Sequence, residues 1–189
     1  VRCKVNSTTT GYSNIKKSYF FSIQAVLIFL ILMPPVFARG VYQTDKSFIS
    51  ETYLNEPPAS EAVMLLGDLR SNVEEILGHP YASLRIRYWK KDGRSAWILD
   101  EIGKTEPITF GIVVKEGKIE NIKVLAFREI RGWEVKYPAF TAQFTGVTLK
   151  DKKLDKSISG ISGATLSVWA MTSVAELALY LDQHIKINE

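Results

Sequence analysis

The sequence predicts an α+β fold, a mainly antiparallel sheet flanked by helices within a single domain. Two strand pairs with Gly-containing turns, at residues 83–100 and 108–127, predict the sheet. A long amphipathic run from Leu166 to Ile185 predicts the closing helix, and a leader of different composition at residues 1–38 stands apart from the domain.

In the leader, Lys16 and Lys17 precede an apolar run from Tyr19 to Met33. Pro34 and Pro35 follow, then Val36-Phe37-Ala38, which fits the small-residue rule for cleavage. Residues 1–38 therefore read as a secretory signal peptide, or as an uncleaved membrane anchor, since Tyr19 to Ala38 is 20 residues long. Both readings put the domain outside the cytoplasm, in the periplasm or on the outer face of the cytoplasmic membrane.

The formal charge of +4 belongs to this leader. It holds Arg2, Lys4, Lys16 and Lys17 and no acid, so the chain's 24 basic residues fall to 20 beyond residue 38, against 20 acidic ones. A near-neutral domain gives no electrostatic case for nucleic acid. Cys3, the only cysteine, also lies in the leader, so residues 39–189 can form no disulfide, thiolate nucleophile or cysteine-bound cluster. The two histidines, His79 and His184, have no metal-ligand spacing; His79 reads as part of a turn and His184 as a complement to a helix C-terminus.

Residues 39–60 are polar and mixed, with Pro57-Pro58 near the end, and read as a linker or a loosely packed arm ahead of a domain at 61–189. Glu61 to Leu77 carries a helical spacing through Val63, Leu66, Leu69, Val73 and Leu77, stopped by Gly78-His79-Pro80. Ser83 to Lys90 and Ser95 to Asp100 flank Asp92-Gly93 as a hairpin, and Ile108 to Lys115 and Ile119 to Phe127 flank Glu116-Gly117-Lys118 as a second. About 150 residues follow the leader, a length that typically buries roughly 70% of its unfolded surface in one core.

The last helix begins at Ser159-Gly160-Ile161-Ser162-Gly163-Ala164-Thr165. Free N–H groups and the positive end of the helix dipole favour an anion at such a start, and glycines let the backbone approach a phosphate. The same string also reads as a plain helix start capped by Ser162. Of the four tryptophans, Trp89 and Trp97 on the first hairpin read as core, Trp133 after the second hairpin and Trp169 one turn after Thr165 could cover an aromatic ligand, and Arg131 could pair with its charge or with an acid on a partner.

Ser162-Gly163-Ala164-Thr165 resembles the flavinylation motif of the FMN-binding domain family, found in flavin subunits of the Rnf and sodium-translocating NADH:quinone oxidoreductase complexes. The resemblance extends upstream through Gly111 to Ile119, Val124 to Trp133 and Phe140 to Phe144. It implies FMN held covalently by a phosphoester to Thr165, with Ser162, Gly163, Ala164, Glu129 and Gly132 around it; Trp133 and Trp169 are added as the aromatic residues expected near the ring. It also implies an FAD:protein FMN transferase and a membrane-bound reductase or cytochrome as partners, and an electron-transfer role more than stand-alone catalysis. Ser159 stands where the family usually has Asp, and Ile130 and Arg131 stand in place of its Thr and Pro. A non-redox envelope module of the same fold that has lost flavin is the alternative, and a reductase acting directly on a small substrate is a third reading.

Overall fold

A computed structural model of the 189-residue chain describes residues 40–187. The export segment read at residues 1–38 lies outside the described residues. Six strands make one antiparallel sheet in the order β1-β6-β5-β4-β3-β2. They are β1 (Gly40–Val41), β2 (Ser60–Met64), β3 (Arg85–Lys91), β4 (Arg94–Ile102), β5 (Pro107–Lys115) and β6 (Lys118–Phe127). The helices among the described residues are α1 (Asp45–Thr52), α2 (Gly67–Leu77), the single turn α3 (Pro138–Thr141) and α4 (Thr165–Ile187). The fold is the α+β arrangement that the hairpins and the last helix predict.

The alternation of the strands decides what lies on each face. Trp97 and Leu99 of β4 and Phe110, Ile112 and Val114 of β5 point to the face covered by α2 and α4, where the main core forms. Ala96, Val113 and Leu125 point to the other face and pack against Phe48, Ile49 and Tyr53. A polar chain fixes α4 to the sheet: Trp97 Nε1 donates to Ser95 Oγ (2.9 Å), and Ser95 Oγ donates to the buried Asp182 carboxylate (2.7 Å).

Two expectations change. Residues 39–60 are not a linker, because α1 forms there and covers the second face of the sheet. Phe48 is seated on Gly111, where a Cβ would meet its ring at 2.7 Å, and Tyr53 donates to the Trp89 carbonyl at 2.6 Å. The folded domain thus begins well before residue 61. The helix expected over Glu61 to Leu77 starts only at Gly67, since residues 60–64 pair with β3 from Ser60↔Trp89 to Met64↔Arg85. Val63 and Leu65 are buried while Met64 and Leu66 are exposed, a period of two that the helical spacing masks.

After β6 the chain runs through a 3-10 turn (Trp133–Lys136), α3 and a second 3-10 turn (Ala142–Phe144) to a small hairpin, β7 (Leu149–Lys150) and β8 (Lys153–Leu154). Glu176, buried on α4, accepts from Lys153 Nζ (3.0 Å) and the Leu154 N–H (3.3 Å), tying that hairpin to the helix. Residues 155–164 then lead into α4.

Candidate functional site

Thr165 is the first residue of α4 and is exposed. Its approach is a turn at Ile161 to Ala164, closed by the Ala164 N–H donating to the Ile161 carbonyl at 3.0 Å, with Gly163 left-handed at φ 82°. The first bond of the helical ladder runs from the Val168 N–H to the Ala164 carbonyl, 3.0 Å. Ala164 therefore holds the N-cap position, where Ser, Thr, Asp or Asn would supply a capping oxygen and alanine supplies none. The N–H groups of Thr165, Leu166 and Ser167 precede the ladder and have no helical carbonyl to meet.

A cavity of about 560 Å³ opens on this helix start. Gly163, Ala164, Thr165 and Leu166 form one wall, Glu129, Ile130 and Arg131 a second, and Lys104 and Thr105 of the β4–β5 loop a third. Three elements far apart in sequence thus meet around one hydroxyl.

Glu129 makes that meeting possible. It is buried, and its Oε1 accepts from the N–H groups of Lys104 (2.5 Å), Thr105 (2.5 Å) and Glu106 (2.8 Å), while the Thr105 hydroxyl donates to Oε2 at 3.2 Å. Burial alone would push this carboxyl up, but the three amides and the hydroxyl outweigh it and hold the group below the usual carboxylate range. The loop amides are spent on Glu129, so the free cations of the cavity are the side chains of Lys104 and Arg131. Both are exposed and neither has an ion-pair partner among the described residues.

Gly132 fixes the second wall against the first. Its φ is 88°, and a Cβ there would lie 2.3 Å from Ser167 Oγ and 3.2 Å from Ser167 Cβ. The segment after β6 is thereby pressed onto the first turn of α4. Gly132→Ala is expected to destabilise by about 2–4 kcal/mol, the sum of a left-handed alanine and a forced contact. Adding Ser167→Ala should recover part of the loss by removing the oxygen, and urea melts of the two variants check it.

The eight residues singled out in the sequence divide accordingly. Glu129, Gly163, Ala164 and Thr165 line the cavity, and Gly132 packs against its helical wall. Ser162 is exposed in the turn and is not part of the cavity wall. Trp133 turns elsewhere, edge-on to Tyr137 with centroids 5.5 Å apart and with Lys136 Nζ 5.4 Å from its ring. Trp169 lines a second cavity of about 430 Å³ that shares Leu166 with the first. Lys104 and Thr105, between the two hairpins, were missed by sequence reasoning, which assigned nothing to residues 101–107.

In the second cavity His79 Nε2 lies 2.8 Å from Oε1 of the buried Glu101, and Nδ1 lies 3.0 Å from the Pro80 carbonyl. Both ring nitrogens face acceptors. The Pro80 carbonyl first and the Glu101 carboxylate second raise the His79 pKa above its ordinary value. His79 follows the α2 C-cap, Gly78, as the turn expectation had it.

Residues 103–180 match the model of the FMN-binding domain family. That segment is similar to the FMN-binding domain family. No curated protein matches the chain. The family match starts at the β4–β5 loop and ends within α4, so it takes in every wall of the cavity around Thr165. The cavity around Thr165 fits a flavin phosphate on its own chemistry: an uncapped helix start, two cations without an ion-pair partner among the described residues, and a glycine whose missing Cβ lets the walls close. FMN carries one or two electrons, which makes flavin binding a basis for electron transfer.

Proposed function

We propose that this protein is an exported flavoprotein that holds FMN through a phosphoester to Thr165 and relays electrons between a membrane-bound reductase or cytochrome and an extracytoplasmic acceptor. The observation that carries the reading is the exposed Thr165 hydroxyl at a helix start whose N-cap residue has no capping oxygen. A separate FAD:protein FMN transferase makes the bond. The Thr165 oxygen attacks the FMN phosphorus of FAD, the P–O–P bond breaks, AMP leaves, and a base on the transferase takes the hydroxyl proton. No residue lining the cavity is a histidine, and its only carboxylate, Glu129, is buried and fully engaged, which favours modification in trans.

The arrangement suits a place outside the cytoplasm, where a lost flavin is not readily replaced. Lys104 and Arg131 oppose the phosphate charge, and Leu166 and Ile130 offer apolar surface to a ring. Export through residues 1–38, cleaved or kept as an anchor, belongs to the same reading.

The second reading, a module of this fold without flavin, has one observation in its favour. Ser159 replaces the family's usual Asp, and the nearest upstream acid, Asp155, is already taken by the Thr148 N–H (3.0 Å) and hydroxyl (2.8 Å). Export with and without an active flavin transferase separates the two. The expected result is flavin fluorescence on a denaturing gel and a mass gain of one FMN less water, only with the transferase. A colourless chain from cells in which the transferase labels a control protein would overturn the flavin reading.

A further inference from the structure

Four of the large apolar side chains that the domain leaves exposed line the Thr165 cavity or the cavity that shares Leu166 with it. Ile102 at the end of β4 is 57% exposed, Ile130 after β6 is 76%, and Leu166 and Trp169 on α4 are 40% and 63%. Ile130 lines the acceptor cavity, Ile102 and Trp169 line its neighbour, and Leu166 lines both. They form one patch rather than scattered single residues, and such patches mark interaction sites.

The charges around the patch are sorted by burial. Every acid lining either cavity is buried: Glu129 accepts from the loop amides, Glu101 meets His79 through Oε1 while its Oε2 has no partner among the described residues, and Glu176 accepts from Lys153. The cations Lys104 and Arg131 are exposed and unpaired among the described residues. Residues 39–189 carry equal numbers of basic and acidic side chains, so this surplus is local and not a general basicity.

We infer that this face docks a redox partner protein whose surface presents an apolar centre rimmed by carboxylates. The inference rests on the flavin reading for its purpose, since electron tunnelling weakens steeply with distance and the partner must cover the face that bears Thr165. A phosphodiester there carries a single negative charge, which two cations exceed. Two concavities of about 560 and 430 Å³ set between protruding apolar side chains favour a shaped protein surface over a lipid headgroup layer. Complementary rim charge sets association rate and partner choice, and the apolar centre supplies contact.

The test uses ¹⁵N-labelled, flavin-free protein, titrated at low ionic strength with plant-type ferredoxin, an acidic one-electron carrier, and with basic mitochondrial cytochrome c. Ferredoxin is expected to shift the amides of Ile102, Ile130 and Leu166 and the indole N–H of Trp169; cytochrome c is not. The double reversal Lys104→Glu with Arg131→Glu should weaken ferredoxin binding roughly tenfold, as should added salt. Trp169→Ala should weaken it with the salt dependence retained. Absence of shifts, shifts on another face, or a response to phosphatidylglycerol vesicles without one to ferredoxin overturns the inference. Because no flavin is present, failure here leaves the Thr165 attachment untouched, and failure of attachment leaves a positive titration standing.

Discussion

Replacing Thr165 by alanine is expected to abolish covalent flavin while leaving the domain folded. The side chain is exposed at the first position of α4, so no core contact is lost. Alanine is the better helix former, and the stability change should stay within about 0.5 kcal/mol. In cells exporting both protein and transferase, the parent should fluoresce on a denaturing gel and gain the mass of FMN less water, and Thr165→Ala should do neither. Thr165→Ser keeps a hydroxyl on the same helix start and should retain part of the label. Ser162→Ala, a change in the exposed turn outside the cavity, should retain nearly all of it. Label persisting in Thr165→Ala at the parent level would move the bond to another residue and sink the phosphoester assignment.

The hairpins were legible because each is a local signal: apolar, aromatic or β-branched runs on both sides of a Gly-containing turn. At the first, Asp92 and Gly93 adopt φ of 53° and 71°, the left-handed pair that such turns require. The start of α4 was legible for the same reason, since a string of small residues before an apolar stripe is read within one segment. What escaped depends on distant partners. Whether Val63 and Leu66 belong to a helix or Val63 and Leu65 to a strand is decided by β3, twenty-odd residues on, which supplies the ladder. Phe48 and Tyr53 look like stray apolar residues in a polar arm until Gly111 and the Trp89 carbonyl receive them. The cavity's third wall was invisible because nothing near Lys104 announces it; Glu129, on the far side of a strand pair, brings it there. Where the Trp133 ring points is likewise set by its neighbours, for it packs with Tyr137 and Lys136.

Glu129→Ala should be the most damaging single change near the site, and its effect should depend on pH. In the parent one carboxylate oxygen satisfies three amides of the β4–β5 loop. Alanine leaves them without that acceptor, in a loop whose outer residues can partly rehydrate. An expected cost of about 3 kcal/mol follows from amides deprived of partners, or roughly 6–12 °C in Tm for a domain of this size. Glu129→Gln keeps an accepting oxygen but loses the charge, and should cost about 1 kcal/mol at neutral pH. The carboxyl's folded pKa lies below its unfolded value of about 4.3. Its contribution is therefore fully present above that value and is lost as pH falls through the folded one. Melts from pH 7 to pH 3 should show the parent approaching Glu129→Gln below about pH 4; parallel curves throughout would mean the charge on Glu129 contributes nothing. The same loop carries Lys104 and Thr105 to the cavity. Glu129→Ala should accordingly lower flavin loading even at temperatures where the variant is fully folded, whereas a purely structural role would leave loading of the folded fraction unchanged. Glu129 need not touch the cofactor to have this effect, because it acts through the neighbouring turn.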